Sequence, residues 1–128
     1  MKHLVFPTPT RGEGRFIRQQ GSPGRYGHVV LLVQSSDQPL LPIEWSVPEE
    51  CIPLAYMQAI SQGITGLFEA ESKFSKWSPT GFSVRVIGGS HHETDSNEVS
   101  YTLAAAEAFI HAVENSGAAN QINTKISP

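Results

Sequence analysis

The chain has 128 residues, of which 39% are hydrophobic, so it is long enough for one compact domain and too short for two ordinary ones. Cys51 is the only cysteine, which excludes an internal disulfide and a cysteine metal cluster. The net charge of −3 argues against a general nucleic-acid binder, and no apolar run is long enough to cross a bilayer. We therefore expect a cytoplasmic protein with no membrane partner.

Residues 1–12 are predicted to be a tail or an edge segment. Pro7 and Pro9 each remove a backbone donor and favour extended backbone in the residue before them. The single domain is then expected to span residues 13–117. Residues 118–128 are expected to form a flexible C-terminal tail.

A hairpin is predicted next. The stretch "GRFIRQQ" has the pattern of a polar strand. Pro23 and Gly24 suit the two central positions of a type II turn, because proline presets one φ and glycine accepts a positive one. The strand that follows, "YGHVVLLVQSS", is apolar almost without alternation, which indicates a central position in the sheet.

Two further strands alternate between apolar and polar residues. In "LPIEWSV" every second residue is apolar, the signature of a strand with one buried face. The same alternation places Phe82, Val84 and Val86 on the buried face of a fourth strand. Between these strands the period changes from about Pro48, and apolar residues at three- and four-residue steps predict an amphipathic helix with Pro53 in its first turn. Its stripe consists of Leu54, Met57, Ile60, Ile64, Leu67 and Phe68.

A second helix follows the fourth strand. Asp95 and Glu98 have the spacing of a capping box, with Asp95 as the N-cap, and Gly117 is suited to end the helix. The predicted buried stripe consists of Val99, Leu103, Ala106, Ile110 and Val113. The complete order is β-β-β-α-β-α, which predicts an α+β domain with a four-stranded sheet and both helices on one face.

Charge is distributed unevenly along this order of elements. Residues 1–35 carry five basic side chains and one acidic side chain, a net charge of +4, whereas the remaining residues carry four and eleven, a net charge of −7. Such polarity predicts one cationic end that can meet phosphate, while the acidic remainder limits nonspecific binding.

Three patches, in the same order and spacing, resemble the fourth domain of translation elongation factor G. They are "RQQGSPGRYGHVVLLV", "VPEECIP" and "GGSHHETDSNEVSYTLAAAEAFIHA", and the similarity extends roughly from Arg15 to Gly117. The resemblance implies a four-stranded sheet backed by two helices with a left-handed β-α-β crossover. This fold is similar to that of the second domain of a ribosomal small-subunit protein.

The resemblance also implies a function. In that family the domain is a protruding arm whose tip, made of two loops, enters the decoding region of the small ribosomal subunit. By motif position the two loops are "QGSPGR" and "GGSHH", and folded RNA offers phosphates and 2′-hydroxyls to such side chains. The residues expected to bind the ribosome or other structured RNA are Arg15, Arg18, Gln20, Gly21, Ser22, Gly24, Arg25, Gly89, Ser90, His91 and His92.

The sequence departs from the family pattern at three points. Arg25 stands where the family usually has glutamine, and His91 stands where it has tyrosine. No G-x-x-x-x-G-K-[ST] motif occurs, so we expect a stand-alone, translation-factor-like domain that lacks the GTPase, is not an enzyme and needs no cofactor. A separate GTPase or another protein is left open as a further partner.

Three other interpretations compete with the RNA contact. A metal site formed by His91, His92, Glu93 and Asp95 is disfavoured, because adjacent histidines in extended backbone point opposite ways and Asp95 is needed at the helix start. A catalytic site is disfavoured because His92 lacks a nucleophile partner at these spacings. The alternative that stays open is a protein-interaction module that keeps the fold but has lost ribosome binding.

Overall fold

The computed structural model of the chain describes residues 2–21 and 23–118, and within these it contains six strands and two α-helices. Short 3-10 turns flank the first helix at Leu54–Tyr56 and Gly66–Phe68. The strands and helices, in chain order, are β1 Lys2–His3, β2 Thr10–Arg18, β3 Arg25–Ser35, β4 Glu44–Trp45, α1 Met57–Thr65, β5 Trp77–Ser78, β6 Phe82–Ser90 and α2 Glu98–Ser116.

The main sheet has four strands in the order β2-β3-β6-β4. Strands β2 and β3 form an antiparallel hairpin, β3 and β6 are antiparallel, and β4 is parallel to β6. Because α1 connects the parallel neighbours β4 and β6, these three elements form a β-α-β unit. The predicted α+β class and four-stranded sheet are confirmed, and the strands of this sheet and the two helices follow the predicted order β-β-β-α-β-α; the short strands β1 and β5 were not predicted.

The segment before β2 packs on the domain. Leu4 and Phe6 are buried in the core, and β1 pairs with β5 in a separate two-stranded parallel sheet. Strand β2 begins at Thr10, four residues before the predicted start. At the other end of the chain, Ala118 is also buried, and residues 119–128, which belong to the expected C-terminal tail, lie outside the described residues.

Helix α2 packs closely on β2 and β3 because glycines leave room for it. A Cβ atom added to Gly12 would collide with the carbonyl oxygen of Ala108, and one added to Gly14 would collide with that of Ala104. Small residues on both surfaces let two backbones approach more closely than larger side chains allow. The helix therefore lies flat against the hairpin.

The predicted buried face of α2 was wrong in the first half of the helix, whereas Val113 is buried as predicted and Ile110 packs against the core. Val99 and Leu103, expected in the core, are 54% and 43% exposed. The helix is rotated because the glycine groove of the hairpin accepts an alanine-rich face, whereas larger side chains would not fit there. The residues buried on α2 are Ser100, Tyr101, Ala104, Ala105, Ala108, Phe109, Ala112 and Val113.

Helix α1 is shorter than predicted. Ile60 and Ile64 are fully buried, as expected, but the α-helix begins at Met57 and Pro53 is not in its first turn. Leu54 lies in the preceding 3-10 turn and is 52% exposed. The Leu54 amide donates to the Glu49 carboxylate (3.0 Å), so the polar loop before the 3-10 turn supplies an acceptor for one of its first backbone amides.

Candidate nucleic-acid interface

Two loops meet at one end of the sheet. We call residues 19–24, between β2 and β3, the first loop, and residues 91–97, between β6 and α2, the second loop. The backbone amide of Gly24 donates to the Asp95 carboxylate at 3.0 Å, and the side-chain amide of Gln19 donates to the same carboxylate at 2.9 Å. The amide of Tyr26 donates to the Asp95 backbone carbonyl at 3.0 Å. Asp95 therefore holds the two loops side by side.

The sequence predicted Asp95 as the N-cap of α2, but Asp95 does not occupy that position. The cap is Asn97, whose side chain accepts a hydrogen bond from the Ser100 amide at 2.8 Å. The prediction was wrong because the Asp95 carboxylate already accepts two bonds from a loop that is distant in sequence. The hydrogen bond from Gln19, joined by the one from Gly24, holds the pKa of Asp95 below its usual value.

The predicted type II turn is also corrected. Gly24 does not adopt a positive φ; in this part of the described chain the positive φ, 93°, belongs to Gly21. A Cβ atom on Gly24 would lie 2.8 Å from the Asp95 carboxylate and 3.0 Å from the Arg18 carbonyl. Gly24 thus serves the close approach of the two loops, while Gly21 is exposed at the turn.

His92 presents a hydrogen-bond donor to the outside. Its Nδ1 accepts hydrogen bonds from the backbone amides of Thr94 (3.2 Å) and Asp95 (3.1 Å). A ring nitrogen that accepts hydrogen bonds carries no hydrogen, so in the neutral ring the hydrogen sits on Nε2. The side chain is 46% exposed, which leaves Nε2–H available to an external acceptor.

The neighbouring His91 has a different environment. Its Nδ1 is 3.1 Å from the Cys51 carbonyl oxygen, in the segment that leads to α1, and its side chain is half-buried. The two histidines therefore point to different sides, as the sequence indicated. Within residues 2–21 and 23–118, no three side chains of His, Cys, Asp or Glu are grouped so that they could hold a metal ion.

Two arginines face each other across the end of the hairpin. Arg18 and Arg25 are directly opposite in the register of β2 and β3, and both are exposed. The Arg18 guanidinium lies 4.7 Å from the centre of the Phe16 ring and donates to the Ile17 carbonyl at 2.9 Å. Like charges directly opposite each other destabilise a strand pair, so an anion placed between them would relieve this repulsion.

Other expected contact residues lie around these arginines. Gln20 is exposed in the first loop, and Ser22 lies outside the described residues. Arg15 is on β2, where its guanidinium pairs with Glu13 at 3.3 Å, on the sheet face away from the helices. Gly89, with φ of 144°, packs so closely that a Cβ atom there would meet Ile52 at 2.5 Å.

Ser90 belongs to a hydrogen-bonded cluster that the sequence pattern did not reveal. Its hydroxyl lies 2.8 Å from His28 Nδ1 and 2.7 Å from the Tyr26 hydroxyl. The other ring nitrogen of His28 is 2.5 Å from the Glu13 carboxylate, a hydrogen bond that lowers the pKa of Glu13. Only the strand register brings these residues together, so no local motif could have predicted them.

The fold and the paired loops define an α+β domain with a two-loop tip. The family model for elongation factor G, domain IV, matches residues 5–117, and the chain belongs to this family. The resemblance noted in the sequence is thereby confirmed. No helix within the described residues has the length and apolar character needed to span a membrane.

The relatives are much longer than this chain. Elongation factor G of Fervidobacterium nodosum is 34% identical over 104 residues, which cover 80% of this chain and 15% of the relative. Elongation factor G of Petrotoga mobilis is 32% identical over 110 residues, with coverages of 83% and 16%. A crystal structure from Thermus thermophilus aligns with a TM-score of 0.73 at 26% identity, covering 90% of this chain and 17% of that one.

Proposed function

We propose that this domain binds structured RNA of the small ribosomal subunit through its two loops, as a translation-factor-like domain without its own GTPase. The observation that carries the proposal is the Asp95 link, because it brings the loop containing His92 against the hairpin end containing Arg18 and Arg25. The proposed target is the decoding region, and the proposed location is the cytoplasm.

The chemistry at this end suits RNA. Two guanidiniums without an acidic partner among the described residues offer charge-assisted bonds to phosphate. The His92 Nε2–H offers a neutral donor to a phosphate or a 2′-hydroxyl. The chain spans about 15% of the Fervidobacterium relative's length and contains no G-x-x-x-x-G-K-[ST] motif, and a separate GTPase is the further partner that we propose.

Co-sedimentation with purified bacterial small ribosomal subunits at several salt concentrations tests the proposal. We expect binding that weakens with salt, because phosphate contacts release counterions. The variant Arg25→Ala with His92→Ala should bind more weakly and lower the salt slope by about 1, the value for one lost phosphate contact. A matched control, Arg11→Ala with His3→Ala, removes the same residue types away from the two loops and from the hairpin end that holds Arg25. Equal binding by the two double variants would refute the loop contact.

One observation favours the alternative function, a protein-interaction module. The exposed Val99 and Leu103 lie one helical turn apart on α2, so this helix presents neighbouring apolar side chains that a protein partner could cover. Pull-down from cell extract with and without RNase separates the two functions. Capture that survives RNase, is insensitive to salt and is lost in Leu103→Ser would favour the module.

A further inference from the structure

A chain of four polar side chains crosses the sheet face that is turned away from the helices. Glu13 comes from β2, Tyr26 and His28 come from β3, and Ser90 comes from β6. The face follows from strand alternation, since Gly12 and its neighbours on the other face contact α2. His28 and Ser90 are directly opposite in register. We call Glu13, His28, Ser90 and Tyr26 the polar relay.

The hydrogen bonds of the polar relay all run in one direction, from each donor towards Glu13. The ionised Glu13 carboxylate can only accept, so the nearer ring nitrogen of His28, Nε2, carries the hydrogen. In the neutral ring Nδ1 must then accept, and the Ser90 hydroxyl donates to it over 2.8 Å. The Tyr26 hydroxyl in turn donates to Ser90 over 2.7 Å. Each group thereby fixes the orientation of the next.

The end of the polar relay lies beside the second loop. The Tyr26 ring is 6.1 Å from the His92 ring, centre to centre, and the Tyr26 amide donates to the Asp95 carbonyl. Ser90 is the last residue of β6, so its side chain anchors the point where the second loop begins. The Ser90 carbonyl accepts a hydrogen bond from the Tyr101 hydroxyl at 2.7 Å, which holds this point to α2 as well.

We propose that Ser90 and Tyr26 are positioning residues, through which the polar relay holds the second loop so that His92 points its Nε2–H at the RNA. This inference rests on the proposed function. It differs from a general structural role because it predicts effects limited to the polar relay and the second loop. Such effects can be measured separately from stability and from RNA binding itself.

Four single variants test the inference. Ser90→Ala and Tyr26→Phe each remove one hydroxyl of the polar relay without changing charge. Ser90→Thr keeps the hydroxyl and serves as the rescue. Ser83→Ala, on the same strand and the same face as Ser90, is the matched control. NMR spectra would report the imidazole tautomers of His28 and His92 and the amide resonances of residues 91–96, and co-sedimentation would report the affinity for purified small subunits.

We expect Ser90→Ala and Tyr26→Phe to shift the resonances of the second loop and to weaken subunit binding about three- to tenfold, the factor associated with one hydrogen bond. Ser90→Thr and Ser83→Ala should match the unaltered protein. Unchanged loop resonances would overturn the inference, and so would shifted resonances with full affinity. If the unaltered protein does not bind subunits, the proposed function fails, whereas the NMR comparison still decides whether the polar relay holds the second loop.

Discussion

The two faces of the β2–β3 hairpin make different kinds of contact, close backbone packing on one face and side-chain hydrogen bonds on the other. On one face, Gly12 and Gly14 let the backbone of α2 approach so closely that a single added methyl group would collide with it. On the other face, Glu13 and His28 join a hydrogen-bonded chain that ends beside the second loop. We therefore expect substitutions on the helix side to lower the free energy of unfolding. Substitutions on the open side are expected to change the position of the second loop.

Among substitutions in the hairpin and the loops, the largest effect is expected on the helix side, from Gly14→Ala. The new methyl group would meet the Ala104 carbonyl oxygen, and forced backbone shifts of this kind cost about 1–3 kcal/mol. Urea denaturation would measure the loss in the free energy of unfolding. The control is Gly66→Ala, because an added Cβ atom there meets nothing within 4 Å. Equal stability of the two variants would contradict the close packing of α2.

A smaller effect is expected at the start of α2, from Asn97→Ala. Loss of an N-cap side chain costs about 1 kcal/mol, and the Asn97 side chain accepts the Ser100 amide at 2.8 Å. Thermal or urea unfolding would show the loss, and Asn97→Asp should retain most of the stability because aspartate caps equally well. A stable Asn97→Ala variant would indicate that another residue provides the cap.

The link between the loops should respond to acid. The pKa of Asp95 is lower in the folded protein than its usual value of 3.8, so the stabilisation it provides is complete above that pH and is lost as the pH falls through the lower folded value. The Gly24 amide resonance should therefore titrate below pH 3.8. In Asp95→Asn this titration should disappear. A midpoint above the usual value would contradict the hydrogen bonds that Gly24 and Gln19 donate.

The smallest effect is expected from Leu103→Ser, on the outer face of α2. Leu103 is 43% exposed, and exposed substitutions away from special features change stability by about 0.5 kcal/mol or less. Phe109→Ala, at a fully buried position on the same helix, should cost about 3–5 kcal/mol. If both variants were strongly destabilised, the apolar stripe predicted from the sequence would be buried after all.

The sequence predicted the order of the elements because buried apolar residues recur along the chain at the spacing of a strand or a helix. Ile60 and Ile64 on α1, and Phe82 and Val84 on β6, are buried as their spacing indicated. The face of α2 could not be predicted in this way. Large apolar residues dominate the periodic signal, whereas the buried alanines match glycines on a different element, and that match exists only after folding.

The sequence indicated which two segments form the candidate site, but it did not indicate the hydrogen bonds that join them. The two loops could be located approximately from motif position, although Gly88, Gly89 and Ser90 lie in β6 and Arg25 begins β3. The role of Asp95 could not, because its spacing to Glu98 resembles a local cap, whereas its actual partner, the Gly24 amide, is 71 residues away. The contact between His28 and Ser90 joins residues 62 positions apart in the chain, and it forms only when β3 and β6 pair in register; no local motif encodes it.

The most direct test of the central claim is to map which surface of the domain faces ribosomal RNA. In a Cys51→Ser background, a hydroxyl-radical-generating probe would be attached to Gln20→Cys, Thr94→Cys or Glu107→Cys, one per loop and one on α2, all at exposed positions. The proposed function predicts overlapping cleavage of small-subunit RNA from the two loop positions and none from α2. Cleavage from Glu107→Cys alone, or none from either loop position in bound complexes, would contradict it.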